Sequence, residues 1–253
     1  MRAYRFLIAV CFLFGAAASM ATAETVDYGD FAGPDIKFIG VTEDSITDGL
    51  PLFDEPTLAG NSLVFNPASF EAFSEGGGID LTDASLTMEI RSTNELGMSA
   101  ITITEGGDFV VDGVGTDATY VQIAAPVWIT IIEVDGMTID PILITESLEI
   151  TPSGGDFNLA DGGNGVGSTW EGHLTVDLDA ALAAAGIDGA ATATRVLLNM
   201  DNTLIARSEE GSVAFIKKKS AIIGITIVPE PSSLVLAGFG LFALVGGLWR
   251  RRR

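Results

Sequence analysis

The chain has 253 residues, 13 Lys and Arg against 34 Asp and Glu, and a formal charge of -21. That length suits one ordinary domain plus terminal signals. So acidic a chain repels nucleic acid and anionic lipid, which leaves cations, neutral polysaccharide or plain solubility as reasons for its composition.

The basic residues are unevenly placed. Arg2 and Arg5 open the chain and Arg250, Arg251, Arg252 and Arg253 close it, which leaves 7 basic and 33 acidic residues between Glu24 and Val228. At the N-terminus, Arg2 and Arg5 precede an apolar run from Phe6 to Ala18 and the small-x-small site Ala21-Thr22-Ala23. This is the order of a secretory signal peptide, with cleavage expected after Ala23 and the Sec machinery as export partner. The apolar run falls short of the roughly 20 residues a membrane span needs. Cys11, the sole cysteine, lies inside that run behind Val10, so it is not read as a lipidation site. It leaves with the signal, and an exported domain without cysteine points to a bacterial source.

Residues 24–78 carry more Pro and Asp and weaker alternation, and read as a loosely ordered arm or as extra strands. Period-two alternation follows: Leu86, Met88 and Ile90 between Thr87 and Glu89, then Ile101 and Ile103 between threonines. Apolar runs at Val127–Val134 and Ile142–Ile144 suit strands buried on both faces. Further strands are expected around 109–111, 120–123, 148–150, 170–178, 195–200, 203–208, 212–217 and 222–228. Turn signals stand at Gly106-Gly107, Asp112-Gly113, Asp135-Gly136 and Gly154-Gly155-Asp156. Lys217, Lys218 and Lys219 interrupt an apolar segment and read as a hairpin turn or as edge-strand charges that block aggregation. One short helix is expected at Asp179–Ala185, capped by Asp177 or Asp179 and stopped by Gly186. Many short strands and little helix predict a mainly β ectodomain, an antiparallel jelly-roll-like sandwich, between an N-terminal signal helix and a C-terminal transmembrane helix.

Candidate chemistry in the middle is sparse. A sole His173 and no mature cysteine exclude Cys-His catalysis and multi-histidine metal sites, and no G-x-S-x-G elbow occurs. Glu133, Glu146 and Glu149 are carboxylates a glycosidase could use, but acids are common throughout this chain. Trp128, Trp170 and Tyr120 could stack on sugar rings, although strand tryptophans belong more often to cores. Asp156, Asn158, Asp161 and Asn164 place oxygen donors among flexible glycines, the raw material of a Ca²⁺ loop. The EF-hand spacing fails, with Ala160 at position five and Gly167 where a bidentate Glu belongs, and a polar inter-strand loop is the competing reading. No other cofactor is expected.

The C-terminus is the most specific part of the chain. Pro229-Glu230-Pro231 leads through two serines into the uncharged apolar stretch Leu234–Trp249 and then four arginines. Paired prolines hold an extended backbone that neither helix nor sheet continues. Sixteen helical residues span about 24 Å, so snorkelling arginines and local thinning complete a membrane crossing. The arginines stay cytoplasmic, which places the acidic domain across the membrane.

This three-part tail resembles the PEP-CTERM sorting signal of Gram-negative bacteria that make extracellular polysaccharide. The resemblance covers residues 229–253 and divides the chain into signal peptide (1–23), acidic β-rich domain (24–228) and sorting signal. It implies recognition and processing near Pro229-Glu230-Pro231 by an exosortase, a membrane-embedded cysteine transpeptidase-like enzyme, after a transient inner-membrane stage anchored by Arg250–Arg253. The expected function is a non-enzymatic surface or extracellular-matrix protein associated with exopolysaccharide and biofilm. The alternative is an exported carbohydrate-active enzyme or calcium-dependent glycan-binding module carried on the same signal.

Overall fold

Alternating side chains share a strand face, and four stretches of this chain sustain that alternation for 15 or 16 residues. In the computed structural model, which describes residues 24–93, 96–160, 168–187 and 189–227, each is one long strand. β6 (Gly78–Ser92) turns Ala84, Leu86, Met88 and Ile90 inward, and β7 (Met98–Gly113) turns in Ile101, Ile103, Phe109 and Val111. β14 (Ala193–Ser208) contributes Val196, Leu198, Met200 and Leu204, and β15 (Ser212–Ile227) contributes Ala214, Ile216, Ala221, Ile223 and Ile225.

All pairings are antiparallel. β14 has β6 on one edge, with β2 (Ile36–Ser45) and β1 (Glu24–Ala32) beyond it. On its other edge β9 (Pro126–Val134) and β8 (Tyr120–Ala124) lie end to end, flanked by β10 (Met137–Ser147) and β12 (Asp156–Asn158). β15 lies between β7 and the end-to-end pair β5 (Glu71–Glu75) and β4 (Ser62–Phe65), with β3 (Thr57–Ala59) outside β4. On the far side of β7 follow β13 (Ser168–Asp177) and β11 (Glu149–Thr151). Among the described residues the two groups are joined by one residue pair, Ala193 with Met98, and form a nearly closed sandwich, the mainly β, antiparallel class expected from the alternation.

Three expected breaks are not breaks. Gly106-Gly107, Asp201-Asn202 and Lys217–Lys219 all lie inside long strands, so pairs of short predicted strands merge into β7, β14 and β15. The lysines form neither a hairpin turn nor an edge: Lys217 pairs with Glu71 of β5 and Asp108 of β7, and Lys218 pairs with Gly107 while its N–H donates to the Phe70 carbonyl at 2.9 Å. A register shift between Lys218 and Ser220 explains the misleading pattern. The extra residue of this bulge switches the inward series from Ala214, Ile216 and Lys218 to Ala221, Ile223 and Ile225. Asp135-Gly136, by contrast, is a turn as expected: both residues have positive φ (48° and 74°) and join β9 to β10, the conformation a two-residue hairpin favours.

Residues 24–78 supply strands rather than a loose arm. Phe53, Phe65 and Phe70 are fully buried, and Phe53 meets the other two edge-on at centroid distances of 5.7 and 5.1 Å. Helix α1 (Leu178–Ala184) starts one residue before the expected span. Asp177 caps it by accepting from the Ala180 N–H at 2.8 Å, and Leu178 and Leu182 face the core. The expected signal helix and transmembrane helix lie outside the described residues; among those described, no helix is long and apolar enough to cross a membrane.

The β14–β15 hairpin is tied to the neighbouring loop by Glu209. Its carboxylate accepts from the Thr116 N–H at 2.6 Å and from the hydroxyls of Thr116 and Thr119 at 3.1 and 3.0 Å. These bonds, the Thr116 N–H first, hold its pKa below the ordinary 4.5. A carboxylate bound more tightly in the folded state stabilises above its unfolded pKa, and that stabilisation disappears as pH falls through the lower folded value. Glu209→Gln is therefore expected to melt below wild type at neutral pH, with the gap shrinking as pH drops past 4.5. Melting curves across that range check this; a gap independent of pH would contradict it.

Candidate functional site

Inward positions of a β-sandwich are normally apolar, yet β7, β14 and β15 each place a polar residue in the inward series. Glu105, Asn202 and Lys218 occupy these places at 3, 1 and 0% exposure. Lys218 Nζ donates to Glu105 Oε1 at 2.7 Å and is in contact with Asn202 Oδ1. It also lies 4.8 Å from the ring centroids of both Phe53 and Phe70, which roof the cation. Burial pushes the Lys218 pKa down, opposed by the charges of Glu105 and Glu43. Glu105 Oε2 and Asn202 Nδ2 have no hydrogen-bond partner.

Glu43, from the inward face of β2, is the fourth member of this polar core. Its Oε1 accepts from the Leu52 and Phe53 N–H groups at 2.8 and 3.1 Å, which fixes Phe53 beside Lys218. Its Oε2 accepts from Tyr28 Oη at 2.5 Å, and burial together with that carboxylate holds the phenol well above its ordinary pKa. None of these four residues stands out in the sequence as a site. The one available signal was the interruption of an apolar run by Lys217–Lys219, which points equally well to a turn.

Gly107 makes the third wall. It pairs with Lys218 on one side and Trp170 on the other. Because it has no side chain, the Trp170 indole lies over it, buried at 1% exposure, and donates Nε1–H to the Lys217 carbonyl at 3.3 Å. Trp170 is thus a core residue and not a sugar platform; Trp128 and Tyr120 are half-buried on β9 and β8.

Two surface clefts accompany this core. One, of about 530 Å³, crosses the outer face of β7, β13 and β11 and is lined by Thr104, Glu149, Thr151, Glu171, His173 and Ser220. Its floor is low where Gly106 lies between Ser220 and Glu171 in register. His173 is exposed, as expected from the polar face of its strand, and lies 3.2 Å from Thr175 Oγ1. The other cleft, of about 500 Å³, is lined by Arg91, Ser92, Glu133, Asp135, Gly136 and Thr194. There Thr194 Oγ1 donates to Glu133 at 2.9 Å. Glu133 and Glu149 thus belong to different clefts and Glu146 is exposed on β10, so the fold does not bring the three candidate carboxylates together.

Of the suggested calcium donors, Asp156 and Asn158 lie on β12, where Asp156 Oδ1 accepts from Gln122 Nε2 at 2.7 Å. Asp161 and Asn164 lie outside the described residues. Among the described residues, no group of three or more His, Cys, Asp or Glu is placed to hold a metal ion. Ala21, Ala23, Pro229, Glu230, Pro231 and Arg250–Arg253 also lie outside them.

β15 runs to Ile227, two residues before the expected sorting signal. A family model of the PEP-CTERM protein-sorting motif matches residues 228–253. The tail is a PEP-CTERM protein-sorting motif. The PEP-CTERM motif implies an exosortase as processing enzyme and a secreted protein of the cell envelope. No curated protein matches the chain. Among solved structures, a carbohydrate-binding module, TmCBM61, in complex with β-1,4-galactotriose is 6% identical, with coverage of 81% of this chain and 90% of that one and a TM-score of 0.20. The family 11 xylanase from Neocallimastix patriciarum is 7% identical, with coverage of 82% and 100% and a TM-score of 0.23. Likenesses this faint transfer no ligand, substrate or residue role to the domain that carries the PEP-CTERM motif.

Proposed function

We propose that the mature protein is a non-enzymatic component of the cell surface or extracellular matrix of a Gram-negative bacterium. Sec exports it, signal peptidase cuts after Ala23, and an exosortase processes the tail at Pro229-Glu230-Pro231. The domain then takes its place in the exopolysaccharide layer. One observation carries this reading: a PEP-CTERM motif matches residues 228–253, beyond every strand described. Cleavage at Pro229-Glu230-Pro231 would fall after Ile227 and release every strand described. At the other end the expected signal cut after Ala23 leaves Glu24, which pairs with Ser45, on the mature chain.

The outer cleft supports a neutral polysaccharide as neighbour, because Thr104, Thr151 and Ser220 offer hydroxyl donors and acceptors, while Glu149 and Glu171 beside them would repel an anionic polymer. N-terminal sequencing of the exported protein is expected to begin at Glu24; a sequence beginning at Met1 would refute the leader. The purified protein is expected to co-sediment with exopolysaccharide while releasing no reducing ends from it. Shortening of the polymer would replace this reading with the carbohydrate-active enzyme.

A further inference from the structure

We propose that Lys218 and Asn202 become joined by a self-catalysed amide bond between Lys218 Nζ and the Asn202 side-chain carbonyl carbon, formed once the sandwich has folded. The three groups such a reaction needs are already assembled: an amine nucleophile, a carboxamide electrophile in contact with it, and a carboxyl group 2.7 Å from the amine. All three side chains are buried, and Phe53 and Phe70 cover the amine, so water does not compete as nucleophile.

The chemistry balances without any co-reactant. Lys218 starts as an ammonium paired with the Glu105 carboxylate; burial favours its neutral amine, and the proton it gives up passes to the Glu105 oxygen 2.7 Å away. The Nζ lone pair attacks Asn202 Cγ while the Glu105 acid protonates the carboxamide oxygen. Glu105 next takes the proton that Nζ sheds. The Cγ–Nδ2 bond breaks, and Nδ2 leaves carrying that proton as ammonia, which departs as ammonium with the proton from the oxygen. The products are one secondary amide, one ammonium ion and an ionised Glu105. Glu105 thus acts as general base and general acid in turn.

Two otherwise unexplained features fit this course. Asn202 Nδ2, buried with no acceptor, is the leaving group, and Glu105 Oε2, buried with no donor, is the free oxygen that proton shuttling needs. An apolar core would ordinarily not keep a lysine, a glutamate and an asparagine with two unmet hydrogen-bonding atoms. The bond would also link β14 to β15, strands of the two facing groups, and so staple the sandwich in a chain whose sole cysteine lies before Ala23.

The test is mass spectrometry of the full chain isolated from the exporting cell. The expected mass is that of the processed sequence less one ammonia. Trypsin is expected to release a branched peptide in which Lys218, resistant to cleavage, is attached to the fragment 196–207 that carries Asn202. Asn202→Asp is expected to give the same branch with loss of water instead of ammonia. Glu105→Gln, if folded by circular dichroism, is expected to keep the full mass. An unbranched wild-type protein of full mass overturns the proposal whatever the variants do. So does loss of ammonia without the branch, which marks cyclisation of Asn202 on its own backbone. A branch formed equally well in folded Glu105→Gln overturns the role of Glu105.

Discussion

Replacing Pro229, Glu230 and Pro231 together by alanine is expected to leave export intact and to trap nearly all of the protein, full length, in the inner membrane. The structure sharpens this expectation, because β15 pairs with β7 as far as Ile227 and Met98. The paired prolines of the PEP-CTERM motif are the extended backbone expected for an enzyme to grip, because neither helix nor sheet continues through proline. Alanines would remove that barrier to regular structure and, with it, the polar handle of Glu230. Fractionation with an epitope placed after Ala23, combined with mass spectrometry of the C-terminus, reads the result. Deleting Arg250–Arg253 is expected to disturb orientation or retention instead, since the positive end holds the tail on the cytoplasmic side. If wild type and the triple variant both end at Arg253 in a strain that has an exosortase, the tail is an ordinary anchor.

Gly107→Ala is expected to destabilise the domain by at least about 3 kcal/mol, the upper end of ordinary overpacking. A methyl group there would overlap the Lys217 carbonyl and lie 2.7 Å from Trp170 Nε1. The first of these is backbone within a ladder paired on both sides, so relief requires β15 to move, and with it Lys218. Gly106→Ala is the matched control. Its nearest neighbours are Ser220 Oγ at 3.3 Å, a side-chain hydroxyl that needs to give way only slightly, and the Trp170 carbonyl at an ordinary 3.5 Å, so its effect is expected to stay within about 1 kcal/mol. Urea denaturation of the two variants separates the cases. Equal midpoints would mean that Trp170 does not close over Gly107 as described. Since net stabilities of domains are only about 5–15 kcal/mol, the Gly107 variant is also expected to be poorly recovered from cells.

The sequence by itself determined the sorting motif at the tail of this protein and the class of its middle. The tail is legible because its order of prolines, apolar stretch and arginines is a linear signal, read along the chain and not in space. The β class is legible because alternation is local: Leu86, Met88 and Ile90 face one way whatever lies opposite. The α1 cap was legible for the same reason, as Asp177 reaches only to Ala180.

Only the tertiary structure decided where strands continue and what the core contains. Gly106-Gly107 and Lys217–Lys219 look like interruptions when read along the chain, since glycine usually marks turns and lysine usually faces water. In the fold Gly107 makes room for Trp170, and Lys218 finds Glu105 from 113 residues away and Asn202 from 16. A buried charge is tolerated only when its partners arrive with it. Those partners lie on β7 and β14, brought together when the two faces of the sandwich close, a proximity that no local pattern records.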